Sequence, residues 1–128
     1  VAPRPDGAGS FTNDDLLPWL RRFPNRLIGM AHIRVVGEPE GADAVQRWYD
    51  AGFRGLKLIC PDAPYDHPKY FPIYERAQLL RMPILFHTGW VAVAPPGSPA
   101  NQYVRSEYMR PWHLDHLARR FPELRILG

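Results

Sequence analysis

The sequence predicts an α/β fold with a parallel sheet, because helix-like and strand-like segments alternate along the chain. Candidate strands begin near residues 27, 56, 84 and 125. The first three are spaced by about 29 residues, which is the length of one strand with its helix and loops. Their apolar runs are unbroken, as in strands that are covered on both faces. Strands joined by helices in this way form right-handed crossovers in one sheet.

Four helices are predicted from capping residues, prolines and the spacing of apolar residues. Acidic residues follow the first cap, where they suit the helix dipole. The first helix is predicted to begin at Thr12 or Asn13 and to end before Pro24, and the second to begin near Pro39 and to end at Gly52. The third has Pro72 in its first turn and ends before Pro83, and the fourth begins at Pro111. The side chains expected to face inward are Leu16, Leu17, Leu20, Phe23, Ala42, Val45, Trp48, Tyr49, Ile73, Tyr74, Ala77, Leu80, Leu114, Leu117, Ala118 and Phe121.

The candidate strands between these helices are short. They are Leu27–Ile33, Gly55–Cys60, Ile84–Gly89 and Arg125–Gly128. Residues 1–10 are rich in proline and glycine and are predicted to form a loop or tail. The segment Trp90–Ser106 contains PPGSP and no periodicity, which predicts a long loop. We therefore expect one domain over residues 1–128.

Composition excludes several classes of protein. The chain has 128 residues, of which 45% are apolar, and this excludes a disordered chain. Its net charge of +3 comes with arginines that are scattered over the helices, so no nucleic-acid surface is predicted. No apolar run approaches the roughly 18 residues that span a bilayer, and there is no signal peptide. The lone Cys60 excludes an internal disulfide. We expect a cytoplasmic protein without membrane contacts.

Two polar residues interrupt the apolar strands, and both lie where ligands bind in α/β folds, near the carboxyl ends of parallel strands. His87 ends the run PILFH, and its imidazole suits a metal ligand or a general base. It could instead be a core histidine bonded to a backbone carbonyl. Lys57 is costly in an apolar strand unless it is paired or neutral. It could form a salt bridge at the rim, a Schiff base, a substrate-carboxylate contact or a modified metal bridge.

Weaker candidates are His32, His67, His113, His116, Asp62 and Asp66. His32, on the first candidate strand, could face the same pocket as His87. The pair on the fourth helix is three residues apart and shares a helix face, but we expect it to be solvated. His67, Asp62 and Asp66 lie among prolines in the loop after the second strand and are expected to support turns.

Four segments together resemble the amidohydrolase-related family of metal-dependent barrel hydrolases and decarboxylases. They are FPNRLIGMAHI, AGFRGLKL, KYFPIYERAQLLRMPILFHTG and RPWHLDHLARRFPELRIL. The resemblance implies a partial (β/α)8 TIM barrel, with these segments as strands three to six and helices outside. It gives His87 the role of a metal ligand and Lys57 that of a substrate contact or metal bridge. The implied cofactor is a divalent metal, zinc, with manganese or iron as alternatives.

The sequence also departs from the family pattern. The His-x-His pair of strand one, a histidine after the FPELRIL-like segment and the aspartate of strand eight are all absent. A complete barrel has about 250 residues, so the chain would form about half of one. The resemblance implies a metal-dependent hydrolase for a small organic substrate, present as a fragment. The alternatives are a decarboxylase, a non-catalytic half-barrel or truncated product, and a Schiff-base lysine enzyme.

This incompleteness leads to two expectations for the chain by itself. We expect no metal-dependent turnover and weak metal binding, since a catalytic metal needs about three protein ligands. The open edges of the sheet predict pairing with a second copy or with the missing half of the barrel.

Overall fold

The computed structural model describes residues 11–89 and 105–128, and within them a four-stranded parallel sheet confirms the predicted fold class. The predicted tail at 1–10 and most of the predicted loop at 90–106 lie outside the described residues. The strands are β1 (Met30–His32), β2 (Gly55–Leu58), β3 (Ile84–Phe86) and β4 (Ile126–Leu127). The helices are α1 (Asn13–Arg22), α2 (Ala42–Asp50), α3 (Phe71–Leu79) and α4 (Pro111–Arg120).

The strands pair in chain order, β1-β2-β3-β4, and each pair is parallel. Successive side chains of a strand point to opposite faces of the sheet, so the register defines two rows. One row contains Ala31, Leu56, Ile84 and Ile126, and the other contains His32, Lys57, Leu85 and Leu127. We call the face of the first row the outer face and the face of the second row the inner face.

The hydrophobic core lies between the outer face and the helices. Ala31, Leu56 and Ile84 are fully buried there, together with Leu58 and Phe86. The helices contribute Val45, Trp48, Ile73, Tyr74, Ala77, Leu117 and Phe121. The parallel order explains this arrangement, because right-handed crossovers between neighbouring strands put successive helices on the same side of the sheet.

The helix boundaries follow the local signals in the sequence. At the start of α1 the Thr12 hydroxyl accepts a hydrogen bond from the backbone N–H of Asp15, and the Asp15 carboxylate accepts one from the Thr12 N–H. This is a capping box, which satisfies two backbone donors at once. Proline stands in the first turn of α3 and of α4, where its missing N–H costs nothing.

The structure corrects three details of the prediction. The first strand begins at Met30 rather than at residue 27, because the chain turns after α1 with the N–H of Leu27 bonded to the carbonyl of Phe23; Leu27 and Ile28 are exposed. Ala118 is exposed on α4 rather than inward. Ser106, where the predicted loop was expected to end, begins a 3-10 helix that runs to Met109.

One further property concerns membranes. Within 11–89 and 105–128, none of the helices has the length and apolar content that a bilayer crossing requires.

Candidate active site

Polar side chains of the inner face gather toward the carboxyl edge of the sheet. His32 and Lys57 are register partners on β1 and β2, and Lys57 is in turn paired with Leu85 on β3. All three are partly exposed, whereas their neighbours along each strand are buried on the outer face. The sheet therefore brings one imidazole and one amine to adjacent positions on the inner face.

His87 comes directly after β3 and continues its ladder. Its backbone N–H donates to the carbonyl of Leu58 over 2.9 Å, so the alternation of side chains extends to this residue. Because Phe86 is buried on the outer face, His87 follows on the inner face, where it is half-buried. Gly89 then turns the chain with φ of +94°, a conformation that favours glycine.

Lys57 is partly buried beside Cys60. Burial lowers the pKa of the Lys57 ammonium, while the nearby Cys60 acts in the opposite direction. A salt bridge at the rim of the sheet was one of the roles predicted for Lys57. Within residues 11–89 and 105–128, none of the ion pairs includes Lys57. A lysine whose pKa is lowered releases its proton more readily than an exposed lysine, and its ammonium form can bind an anionic substrate group.

His32 is fixed through its backbone rather than through its ring. The Asn13 side chain donates to the His32 carbonyl over 2.9 Å and accepts from the His32 N–H over 2.8 Å. Burial lowers the pKa of the imidazole, Glu40 opposes this, and Lys57 adds to the lowering. The ring is therefore biased toward the neutral form, which is the form that binds metals.

Buried tyrosines support this edge of the sheet, a role that the sequence did not predict. The Tyr65 hydroxyl donates to the carbonyl of His87 over 3.0 Å and lies 3.4 Å from that of Leu58. The Tyr74 hydroxyl donates to the Tyr65 carbonyl over 2.8 Å. Burial raises the pKa of Tyr65 far above its ordinary value, so the hydroxyl keeps its proton. Tyr65 thus ties the ends of β2 and β3 to the loop between them.

Asp62 anchors the same loop and does more than form a turn. Its carboxylate accepts hydrogen bonds from the Lys69 ammonium, from the Tyr70 hydroxyl at 2.7 Å and from the Gly37 N–H at 2.9 Å. Burial alone would raise the pKa of Asp62, but these donors outweigh it and the pKa is lowered. His67 supports a turn as predicted, since its Nδ1 accepts from the Lys69 N–H over 3.3 Å.

The histidine pair of α4 differs from the expected solvated pair. The Nδ1 atoms of His113 and His116 lie 2.9 Å and 2.6 Å from the two carboxylate oxygens of Asp66. The His113 side chain is only 13% exposed, whereas His116 is 62% exposed. Asp66 therefore joins the loop after β2 to the first turns of α4, beyond its expected part in a turn.

The chemistry of the inner face fits a divalent metal in part. Among residues 11–89 and 105–128, His87 and His32 offer imidazole nitrogens on this face. Imidazole is a suitable ligand for zinc or iron, whereas manganese prefers oxygen ligands. A catalytic site takes about three protein ligands, so these two residues would form only part of such a site.

Solved structures show the same fold. An uncharacterized TIM-barrel protein from Bordetella bronchiseptica is 21% identical, with a TM-score of 0.66, and the match covers 92% of this chain and 40% of that one. A manganese-bound 5-carboxyvanillate decarboxylase from Novosphingobium aromaticivorans is 22% identical, with a TM-score of 0.64 over 89% of this chain and 36% of that one. A 2,6-dihydroxybenzoate decarboxylase from Rhizobium is 21% identical, with a TM-score of 0.60 over 89% and 42%. The chain therefore spans about two fifths of their length.

Parallel strands, helices on the outer face and polar side chains at the carboxyl edge define an arc of a (β/α)8 barrel of the kind that enzymes use. The family model described as amidohydrolase matches residues 6–128, and the chain belongs to that family. At the level of sequence, no curated protein matches it.

Proposed function

We propose that the intact barrel containing this chain is a metal-dependent hydrolase of a small organic substrate, and that His87 supplies one ligand of the metal. The observation that carries the proposal is the position of His87. It follows β3 on the inner face, at the carboxyl edge, and on the same face as Lys57 and His32 of the two preceding strands. Barrel enzymes assemble their catalytic groups at this edge.

A bound divalent metal would activate a water molecule and polarise the substrate. The chain's own residues prepare that site. The Tyr65 hydroxyl holds the His87 carbonyl, and the His87 N–H is fixed on Leu58, so the backbone that carries the imidazole is restrained on both sides. His32 is the second candidate ligand, and we infer that the remaining ligands come from the rest of the barrel.

Decarboxylation is the second candidate function, and Lys57 is the observation that favours it. A partly buried ammonium on the inner face suits the carboxylate of an aromatic acid. Two of the three solved structures described above are decarboxylases by name, which supplies a test substrate. A modified lysine that bridges two metals and a Schiff-base lysine are the other uses of Lys57 that its position allows.

The experiment uses the intact barrel protein, stripped with chelator and then supplied with Zn²⁺, Mn²⁺ or Fe²⁺. Two probes separate the reactions: p-nitrophenyl acetate for hydrolysis, and 2,6-dihydroxybenzoate for release of carbon dioxide. We expect metal-dependent turnover that His87→Ala removes and that His67→Ala, an exposed loop histidine, leaves unchanged. Turnover that needs no metal, together with borohydride trapping on Lys57, would replace this proposal with the Schiff-base alternative.

The non-catalytic alternative is favoured if no metal restores activity on either substrate. In that case the inner face would serve assembly with a second copy or with the missing half of the barrel. Size-exclusion chromatography of the 128-residue chain tests this, because the edges of β1 and β4 offer backbone groups for pairing.

A further inference from the structure

We propose that Asp66, His113 and His116 form a zinc site on the rim of the barrel, separate from the proposed catalytic centre. Asp66 lies in the loop after β2, and the two histidines lie in the first two turns of α4. One ligand atom from each residue can be chosen so that all lie within 4.8 Å of one another. The cluster belongs to the helix layer and its loops, whereas His87 and Lys57 face the inner side of the sheet.

The two ring nitrogens of His113 have different surroundings. Nε2 lies 3.0 Å from the carbonyl of Glu107, and a carbonyl can only accept, so Nε2 carries a proton. In a neutral ring Nδ1 then bears a lone pair. This nitrogen is buried, and within the described residues it has no hydrogen bond of good geometry, although the Oδ1 atom of Asp66 is 2.9 Å away. A lone pair facing a carboxylate oxygen is unfavourable unless a proton or a metal cation lies between them.

A metal cation between these atoms resolves the conflict and uses a familiar donor set. Two imidazoles and one carboxylate are ligands that zinc takes in proteins, with bonds of about 2.0–2.2 Å. Around a tetrahedral zinc such donors stand about 3.3 Å apart. Asp66 Oδ2 lies 2.6 Å from His116 Nδ1 and Oδ1 lies 2.9 Å from His113 Nδ1, so zinc binding requires each distance to lengthen by roughly 0.4–0.7 Å.

Two further contacts suit a metal site. A metal-bound histidine usually donates its other N–H to a carbonyl or carboxylate, which fixes the ring, and the contact from His113 to the Glu107 carbonyl has this form. His116 is 62% exposed, so solvent reaches the site and can supply both an entry path and a fourth ligand. Burial would raise the pKa of Asp66, but the contacts with His116 and His113 lower it overall, so the carboxylate is charged at neutral pH.

A bound zinc would crosslink two segments at the rim of the barrel. It would join the loop that follows β2, which also carries Tyr65, to the start of α4. A ligand that binds only the folded state stabilises it in proportion to its concentration and affinity. The rim beside the proposed catalytic edge would thus be held by a metal that takes no part in catalysis.

The test uses the 128-residue chain with His87→Ala, which removes the proposed catalytic ligand from the measurement. The chain is treated with chelator and titrated with Zn²⁺ in a calorimeter, and thermal unfolding is recorded with and without zinc. We expect one zinc per chain and a raised midpoint of unfolding. Asp66→Asn and His116→Ala should each weaken zinc binding at least about tenfold, because each removes one of three ligands.

The matched control is Asp115→Asn, which removes a carboxylate from the same helix at a sequence position between the two histidines, but on a different face of α4. This carboxylate pairs with Arg119, so its loss should leave zinc binding unchanged. If His87→Ala itself lowers the helical circular dichroism signal, wild type is compared with His116→Ala, which must still remove one zinc. Absence of zinc binding, or binding that His116→Ala does not weaken, would overturn the proposal and leave a simple Asp–His ion cluster.

Discussion

On the outer face of the sheet Leu56, Ile84 and Phe86 are buried against the helices, whereas on the inner face His32 and Lys57 remain partly exposed. The backbone is the same on both sides, and only the alternation of side chains separates them. The outer face has the composition of a hydrophobic core, and it stabilises the fold through packing against the helices. The inner face carries groups that cost energy to bury, which is the pattern that a binding or catalytic surface requires.

The largest expected difference between the two faces is in their response to truncation. Phe86→Ala should lower the free energy of unfolding by about 3–5 kcal/mol, because it removes a fully buried ring that packs against Tyr65 and Tyr74. Leu85→Ala, one residue earlier but on the inner face, should cost less than about 2 kcal/mol. Urea unfolding of the two variants checks this. Equal losses would mean that the two faces are equally packed.

The second prediction concerns the hydroxyl that holds the carboxyl edge in place. Tyr65→Phe keeps the ring but removes the donor to the carbonyls of His87 and Leu58. We expect a loss of about 0.5–1.5 kcal/mol in unfolding free energy, since the hydrogen bond from the buried hydroxyl is lost. Tyr49→Phe on α2, where the tyrosine is partly exposed, is the control and should change stability by less than about 0.5 kcal/mol. An unchanged free energy of unfolding in Tyr65→Phe would mean that the Tyr65 hydroxyl does not support the site.

A smaller effect is expected from pH. The pKa of Asp62 is lowered in the folded chain, so the contribution of this carboxylate is fully present above its unfolded pKa of about 3.9. That contribution is lost as the pH falls through the folded pKa. Asp62→Asn should therefore be less stable than wild type at pH 6 and should lose less stability between about pH 5 and pH 3. Parallel curves of unfolding free energy against pH for the two proteins would contradict the role of Asp62 as a charged anchor.

Much of the outer face could be predicted from the sequence, because a buried strand and a packed helix leave periodic apolar patterns. The strands around Leu56 and Ile84 have this form, and so do the helices that cover them. The start of β1 could not be placed, since Leu27 and Ile28 have strand-like composition but lie in the turn after α1. Composition alone does not distinguish an apolar turn from a strand.

The candidate site was harder to predict, because it depends on contacts between distant parts of the chain. His87 and Lys57 could be identified as candidates from the sequence, since a polar residue in an apolar strand is a local signal. The contact of Asp66 with His116 joins residues fifty positions apart. The loop tyrosines gave no signal either, because residues of a proline-rich loop are usually expected at the surface. Such contacts follow from the packing of α4 beside the loop rather than from any local pattern.

The central claim is that the inner face is the functional face and that His87 binds the metal there. The direct measurement is the metal content of the intact barrel protein, purified gently with His116→Ala so that the rim site does not contribute. In that background we expect bound divalent metal that His87→Ala removes and His67→Ala retains. Metal that stays bound in the His87→Ala variant would contradict the account, since the ligands would then lie elsewhere.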